Sequence, residues 1–348
     1  MGSRRFAVQK QTANTGKVIT MKKANFGIKL YQGFTSNPVF PATLILIVVM
    51  VLFVPSFATL QNLATVAQQF AYTGIAASGL AFVLISGGND LSIGANISLS
   101  SIIAAIVMTK LIDGGAAPLA GVFAALATGA IIGLLNGLCV SKIGMNAFIL
   151  TLIMQMLCDG VSLIATDAAS IGNLPEGYTR IGSGNLLGVP TPIIIMLAFF
   201  LLGQFVLSKT TFGRKLYAVG ANRQAAQLVG LSVAGIQIIA FVISGVCAAA
   251  GGIILSARLG AATPSAGSAS MLEIMSAAII GGNSLFGGKG SVVGAACGVV
   301  LLSLISNGLN LLGVSYYATQ IVKGGIILLA VALDYFNQKM RIRQMLKV

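Results

Sequence analysis

The stretch ISGGNDLSIGANIS, Ile85 to Ser98, decides how this chain is read. It places two glycines, an asparagine and an aspartate between apolar runs, where hydrocarbon would penalise all four. The surrounding sequence makes that placement unusual: 56% of the 348 residues are hydrophobic, 8% are charged, 43 are glycine, and the mean hydropathy is +0.95. This is the composition of a multi-span membrane protein in contact with lipid. A spanning helix needs about 20 mostly apolar residues. Ten segments come near that length, at 39–57, 64–86, 92–112, 117–140, 146–166, 191–208, 234–257, 270–282, 291–312 and 315–334. The expected fold is an all-α polytopic membrane domain over 38–335, with about ten transmembrane helices. Short or broken helices are expected near the Gly-Gly-Asn motifs.

Lysine and arginine set the orientation, because short cytoplasmic loops retain them. Seven precede the first span: Arg4, Arg5, Lys10, Lys17, Lys22, Lys23 and Lys29. With this 1–37 tail inside, ten crossings also leave Lys142, the group Lys209, Arg214, Lys215 and Arg223, then Lys289, in the cytoplasm. The 336–348 tail, with Lys339, Arg341, Arg343 and Lys347, falls on the same side. Lys110, Arg180, Arg258 and Lys323 are left outside or embedded. The net charge of +14 therefore reads as topology, and no nucleic-acid partner is expected. Segment 270–282 is short enough to be a re-entrant hairpin, but its failure to cross would carry the basic tail outside unless a second segment failed too. No cleavable signal peptide is expected, since a largely polar stretch of 37 residues precedes the first apolar run.

Several chemistries are disfavoured. Cys139, Cys158, Cys247 and Cys297 are scattered without a CxxC spacing, and the chain contains no histidine, so neither a metal site nor structural disulfides are expected. GGNSLFGGKGS, Gly281 to Ser291, imitates a phosphate loop but lacks its first glycine, at Asn283, and its hydroxyl, at Gly290. Catalytic residues and cofactors are accordingly expected to be absent, and any ATP to be hydrolysed by another chain.

That decoy instead echoes the opening stretch. GGNDLSIG at 87–94 and GGNSLFGG at 281–288 share Gly-Gly-Asn, a later leucine and a closing glycine. NGL recurs at Asn136 and at Asn307. The separations differ, so an internal two-fold repeat would have been unevenly edited. Each Gly-Gly-Asn permits a break in a helix, because glycine reaches φ values other residues avoid and side-chain amides can bond freed backbone groups. Breaks at corresponding points of two halves point to a transport pathway. Tight interhelical turns at the membrane face would have the same sequence.

Longer motifs now carry a family resemblance. GGNDLSIG resembles the Gly-Gly-Ile-Asp-Leu-Ser-Val-Gly signature of the permease subunits of ribose, galactose and xylose-type ABC sugar importers. FGRKLYAVGANRQAAQLVGL, Phe212 to Leu231, resembles their long cytoplasmic loop, and Ile279 to Asp334 resembles their C-terminal third. The likeness covers roughly 40–335 in family order. Two departures bear on the substrate. Asn89 stands where the family usually has isoleucine, and in SMLEIMSA, Ser270 to Ala277, the family's Tyr-Glu falls on Ser270 and Met271 and its Asp on Glu273.

The resemblance implies a multi-pass subunit of the bacterial cytoplasmic membrane with both termini inside. It would work with a second permease subunit, an extracytoplasmic sugar-binding protein and a cytoplasmic ATPase that carries the ATP and magnesium. The implied translocation pathway or gate draws on Gly87, Gly88, Asn89, Asp90, Asn96, Gln155, Pro264, Glu273, Gly281, Gly282, Asn283, Asn307, Asn310 and Gln320. A neutral polyol needs such amides more than strong charge. In the loop 209–233, Arg214, Asn222, Ala225, Ala226 and Gly230 are expected to serve ATPase coupling, with a short helix ended by Gly230. Its apolar side would carry Ala225, Ala226, Leu228 and Val229.

Among the acids, Asp90 reads as the cap of the following helix at a cytoplasmic end, Glu273 as part of the outer mouth or as a first-turn residue, and Asp159 and Lys323 as side chains that snorkel or pair with each other. An ion-coupled secondary transporter is the alternative class. It would keep acids at the bilayer centre, and none of the seven acids sits at an expected midspan.

Overall fold

The computed structural model describes residues 39–112, 114–315, 317–326, 328–329 and 332. Both basic tails lie outside these. The described residues are almost entirely helical: α1 Val39–Phe53, α2 Leu60–Ile85, α3 Ile93–Ile106, α4 Ala117–Leu138, α5 Ala147–Thr166, α6 Glu176–Ser183, α7 Thr191–Lys209, α8 Thr211–Ala221, α9 Arg223–Leu228, α10 Val233–Leu259, α11 Met271–Ile280 and α12 Val292–Leu311. Residues 317–326 are helical as well. A π-turn extends α3 through Val107–Leu111, and another extends α4 through Cys139–Ile143.

The helix boundaries follow from local chemistry. Thr59, Asn146, Thr210, Asn222 and Ser291 each accept a backbone N–H of the first turn that follows. Pro118 and Pro192 occupy first turns, where a missing N–H is harmless.

Seven of these helices are long and apolar enough to cross a membrane: α2, α3 with its π-turn, α4 with its flanking turns, α5, α7, α10 and α12. Val39–Phe53 and Ser268–Ile280 are apolar but shorter. The 167–190 connection, which lies between two of the apolar segments, contains α6 and a small antiparallel hairpin, Asn185–Leu186 against Val189–Pro190. Its short helix is too polar to show as an apolar run, yet Tyr178 anchors it, fully buried with its hydroxyl 2.7 Å from Ser256 Oγ on α10. Burial pushes that phenol up to about 12.

The centre consists of α2, α3 and α10, whose middles are nearly sealed from the surface, while α5 and α7 turn large apolar side chains such as Ile164 and Leu201 outward. Inside lipid the hydrophobic effect does not drive helices together, so close packing of small residues must. The glycines supply it. A β-carbon on Gly129 or Gly245 would overlap the other helix's backbone carbonyl where α4 meets α10. Gly79 packs on Ser244 and Cys247, and Gly252 on the Ile97 carbonyl, so α10 is gripped on three sides.

Gly245→Leu is therefore expected to lower stability by about 1–3 kcal/mol or more. Gly160→Ala, on α5 with nothing near its Cα, should be neutral or slightly stabilising. Thermal unfolding in detergent distinguishes the two, and equal midpoints would contradict this packing.

Candidate functional site

The opening stretch is a helix break closed by its own backbone. At the end of α2, Gly88 N–H donates to Val83 O at 3.0 Å and Gly87 N–H to Leu84 O at 2.9 Å, with Gly87 at φ +81°. This is a Schellman ending, which satisfies carbonyls the helix leaves open. The second motif closes in the same way: Asn283 N–H bonds Ala278 O at 3.1 Å and Gly282 N–H bonds Ile279 O at 2.8 Å, with Gly282 at φ +91°. The left-handed residue is the first glycine of one motif and the second of the other. Gly87 thus corresponds to Gly282, one residue out of step with the sequence echo. In the second turn Asn283 is buried and spans the loop, donating to Ala278 O at 2.8 Å and accepting from Ser291 N–H at 2.9 Å.

After Gly88 the chain runs back along α2 before α3 begins. Asp90 consequently lies deep, opposite Ser244 in the middle of α10, and not at a helix end. One carboxylate oxygen accepts from Ser92 N–H at 3.1 Å and Ser92 Oγ at 2.6 Å; the other accepts from Ser244 Oγ at 2.8 Å. Asp90 does not cap α3 as expected from sequence: Ser92 holds the cap position without a side-chain cap bond, and Asp90 accepts the N–H of Ser92 itself. Asn136 on α4 donates to Ser92 Oγ at 2.8 Å, and Thr151 on α5 accepts from Leu91 N–H at 3.0 Å. Asn96 donates to Gly245 O at 3.4 Å and accepts from Ser100. One buried polar network therefore ties the break to α3, α4, α5 and α10. Ser92, Asn136, Thr151 and Ser244 were not singled out as site residues, because single serines and threonines in apolar helices look like ordinary filler.

At the end of α10 remote from α9, the segment through Pro264 folds back against α3. Gly267 N–H donates to Ser98 Oγ at 2.9 Å, Ser268 Oγ to Asp159 at 2.6 Å, and Ser270 Oγ lies 2.8 Å from the Tyr72 hydroxyl. Glu273 bonds Lys323 Nζ at 3.0 Å, both partly buried. The pairing of Lys323 with Asp159 is thus replaced: a serine takes Asp159, and Lys323 reaches the acid on α11.

The 209–233 connection contains α8 and α9. Asn222 Oδ1 caps α9 by accepting Ala225 N–H at 2.9 Å. Gly230, at φ +79°, ends it as Leu231 N–H bonds Ala226 O at 3.0 Å. Of the expected apolar side only Ala226 is buried in the chain; Ala225, Leu228 and Val229 are exposed, the last two at 89% and 75%. Arg214 is exposed on α8.

Comparison with known proteins decides the class. Residues 62–331 match the family model described as branched-chain amino acid transport system / permease component. The ribose import permease protein RbsC of Escherichia coli (strain K12) is 40% identical over 304 residues, covering 85% of this chain and 92% of that protein. The chain belongs to this permease family. RbsC of Bacillus subtilis (strain 168) is 38% identical over 292 residues, 83% of this chain and 89% of its own length. The L-arabinose transport system permease protein AraH of E. coli K12 is 35% identical over 295 residues, 85% and 89% respectively. No solved structure matches.

Within the permease the sequence-derived residues form separate groups. Gly87, Gly88, Gly281, Gly282 and Asn283 lie in the two turns, while Asn89, Asp90 and Asn96 belong to the break that follows the first. Pro264 and Glu273 sit at the other end of α10. Asn307 forms a reciprocal amide pair with Asn62 of α2, at 2.8 and 3.0 Å. Gln155 lies on α5, Asn310 is exposed on α12, and Gln320 is exposed in the helix that follows. The depth of Asp90 removes one sequence argument against ion coupling, since an acid does face a helix middle. Its oxygens, however, are already engaged by serines.

Reversing one charge of the Glu273–Lys323 pair, as Glu273→Lys or Lys323→Glu, is expected to lower the unfolding midpoint. The double reversal should recover most of the loss, a coupling of about 1 kcal/mol for a part-exposed pair. Additive effects would show that the pair is not formed.

Proposed function

We propose that this chain is the membrane-spanning permease subunit of an ATP-binding-cassette importer that carries a monosaccharide, pentose or hexose, delivered by an extracytoplasmic binding protein. The observation that carries this reading is the near full-length likeness to permeases named for ribose and L-arabinose. The family description refers to branched-chain amino acids. We favour a sugar because the relatives that cover both chains almost entirely are sugar permeases. The embedded polar groups are also mostly uncharged amides and hydroxyls, which suit a neutral polyol.

In this reading the chain lies in the bacterial inner membrane with about ten crossings, seven of them the long helices above. Val39–Phe53, the short Ser268–Ile280 segment and the helix at 317–326 account for the other three, and both termini are cytoplasmic by the positive-inside rule. A second permease subunit completes the pathway. Glu273 and the Pro264 segment then border its extracytoplasmic mouth, and the two glycine turns its cytoplasmic side. ATP and magnesium belong to a separate ATPase. That partner docks on α9, where the exposed Leu228 and Val229 form an apolar tip at the end of a helix whose Ala226 is committed to the chain's own packing. A helix tip of this kind suits a groove on a partner protein.

The double variant Leu228→Glu with Val229→Glu is expected to insert and fold normally yet to lose the co-purifying ATPase and uptake of labelled pentose. Retention of both would rule out α9 as the docking element. Uptake assays across ribose, arabinose, allose and branched-chain amino acids identify the substrate class, and transport of an amino acid alone would overturn the sugar reading.

A further inference from the structure

The first glycine turn, the α11–α12 loop and the segment that precedes α9 meet in one place. Gly220, on α8, has no room for a side chain: a β-carbon there would overlap the Ile85 carbonyl and stand 2.6 Å from Gly288 N. Gly288 N–H in turn donates to that same Ile85 carbonyl at 2.9 Å, so the last residue of α2 is bonded directly to the loop joining α11 to α12. A β-carbon on Gly287 would approach Gly220 O at 2.7 Å and Gly87 Cα at 2.8 Å. One on Gly288 would lie 2.7 Å from Ala221 Cα. Glycines from three distant parts of the chain therefore bring three backbones into contact with no side chain between them. The hydroxyl of Tyr217, one turn before Gly220, donates to Gly290 O at 2.7 Å and pins α8 to the second loop. Half-burial raises that phenol above its ordinary value, so it remains a donor at neutral pH.

This geometry has a mechanical consequence. Side chains between elements can change rotamer and absorb a small displacement, whereas backbone packed on backbone transmits it. One residue, Asn222, separates α8 from α9, and its side chain caps α9, so the two short helices move as a unit. A shift of α9 must then reach the end of α2, the α11–α12 loop and, through Gly87 and Gly88, the Asp90 network.

We propose that Gly220 and Tyr217 are positioning residues that transmit movement of the docked ATPase to the first glycine turn and to the α11–α12 loop. The role rests on the importer reading above, but none of these residues belongs to the α9 docking tip. They touch neither substrate nor ATPase in this account. They set how strictly hydrolysis is linked to transport.

The test uses the complete complex of permease, ATPase and binding protein reconstituted in proteoliposomes, with sugar uptake and ATP hydrolysis measured on the same sample. Gly220→Ala should assemble and hydrolyse ATP, but sugar moved per ATP should fall by about tenfold, within the range single substitutions produce in coupled systems. Tyr217→Phe keeps the packing and removes only the hydroxyl. It should lower the same ratio by about threefold with an unchanged thermal midpoint. A merely structural role would lower assembly and hydrolysis together and leave the ratio alone. If Tyr217→Phe keeps the wild-type ratio, the proposal fails, whether or not Gly220→Ala assembles. If the wild-type chain binds no ATPase, the importer reading falls and takes the proposal with it.

Discussion

A backbone amide inside a bilayer has no water to bond, and an unsatisfied one costs several kcal/mol. The break between α2 and α3 exists only because this requirement is met within the protein. Schellman bonds close α2, the Ile85 carbonyl accepts Gly288 N–H, Thr151 takes Leu91 N–H, and Asp90 takes Ser92 N–H. Gly288 and Thr151 come from distant parts of the chain, and Ser244 of α10 holds the Asp90 carboxylate. Forming the break therefore commits α5, α10 and the α11–α12 loop to fixed positions, and a neighbour that moved away would leave a buried polar group bare. The question raised by glycines and an aspartate in an apolar sequence is answered here: the glycines turn the chain and Asp90 bonds it where lipid cannot, whereas Asn89 Oδ1 is buried with no hydrogen-bond partner among the described residues.

The same constraint explains the abundance of glycine away from the turns. Lipid tails are as apolar as leucine, so helices gain little by hiding leucine from them. They gain by letting backbones approach, as α4 and α10 do at Gly129 and Gly245. On the rim, large side chains such as Ile164 and Leu201 face outward. Where the requirement is extreme, at Gly220, Gly287 and Gly288, close packing also joins α8 to the end of α2 and to the α11–α12 loop.

Much of this was legible in the sequence, for identifiable reasons. Long apolar runs located the spanning helices, and the composition around Asn222 to Gly230 gave a short helix with its glycine ending, though not the Asn222 cap. The importance of both Gly-Gly-Asn motifs was visible, but not their register: the left-handed residue is fixed by where each helix stops, and Ile85 and Ile280 stop one position differently relative to the motif. The depth of Asp90 was hidden because hydropathy counts residues along the chain, whereas the chain turns back after Gly88. Lys323 paired with Glu273 instead of Asp159 because partner choice depends on which helices become neighbours. Gly220 gave no local signal, since its meaning comes from two turns that lie far away in sequence.

The most direct measurement is amide hydrogen exchange over residues 84–98 in lipid nanodiscs, comparing the native chain with Asp90→Ala. If Asp90 and its partners hold the break closed, the native segment should exchange much more slowly than the exposed α9 segment, and the variant should lose about tenfold or more of that protection across α3's first turn. Equal protection in the two proteins would mean that burial in lipid alone shields the segment, and that the carboxylate does not hold the break.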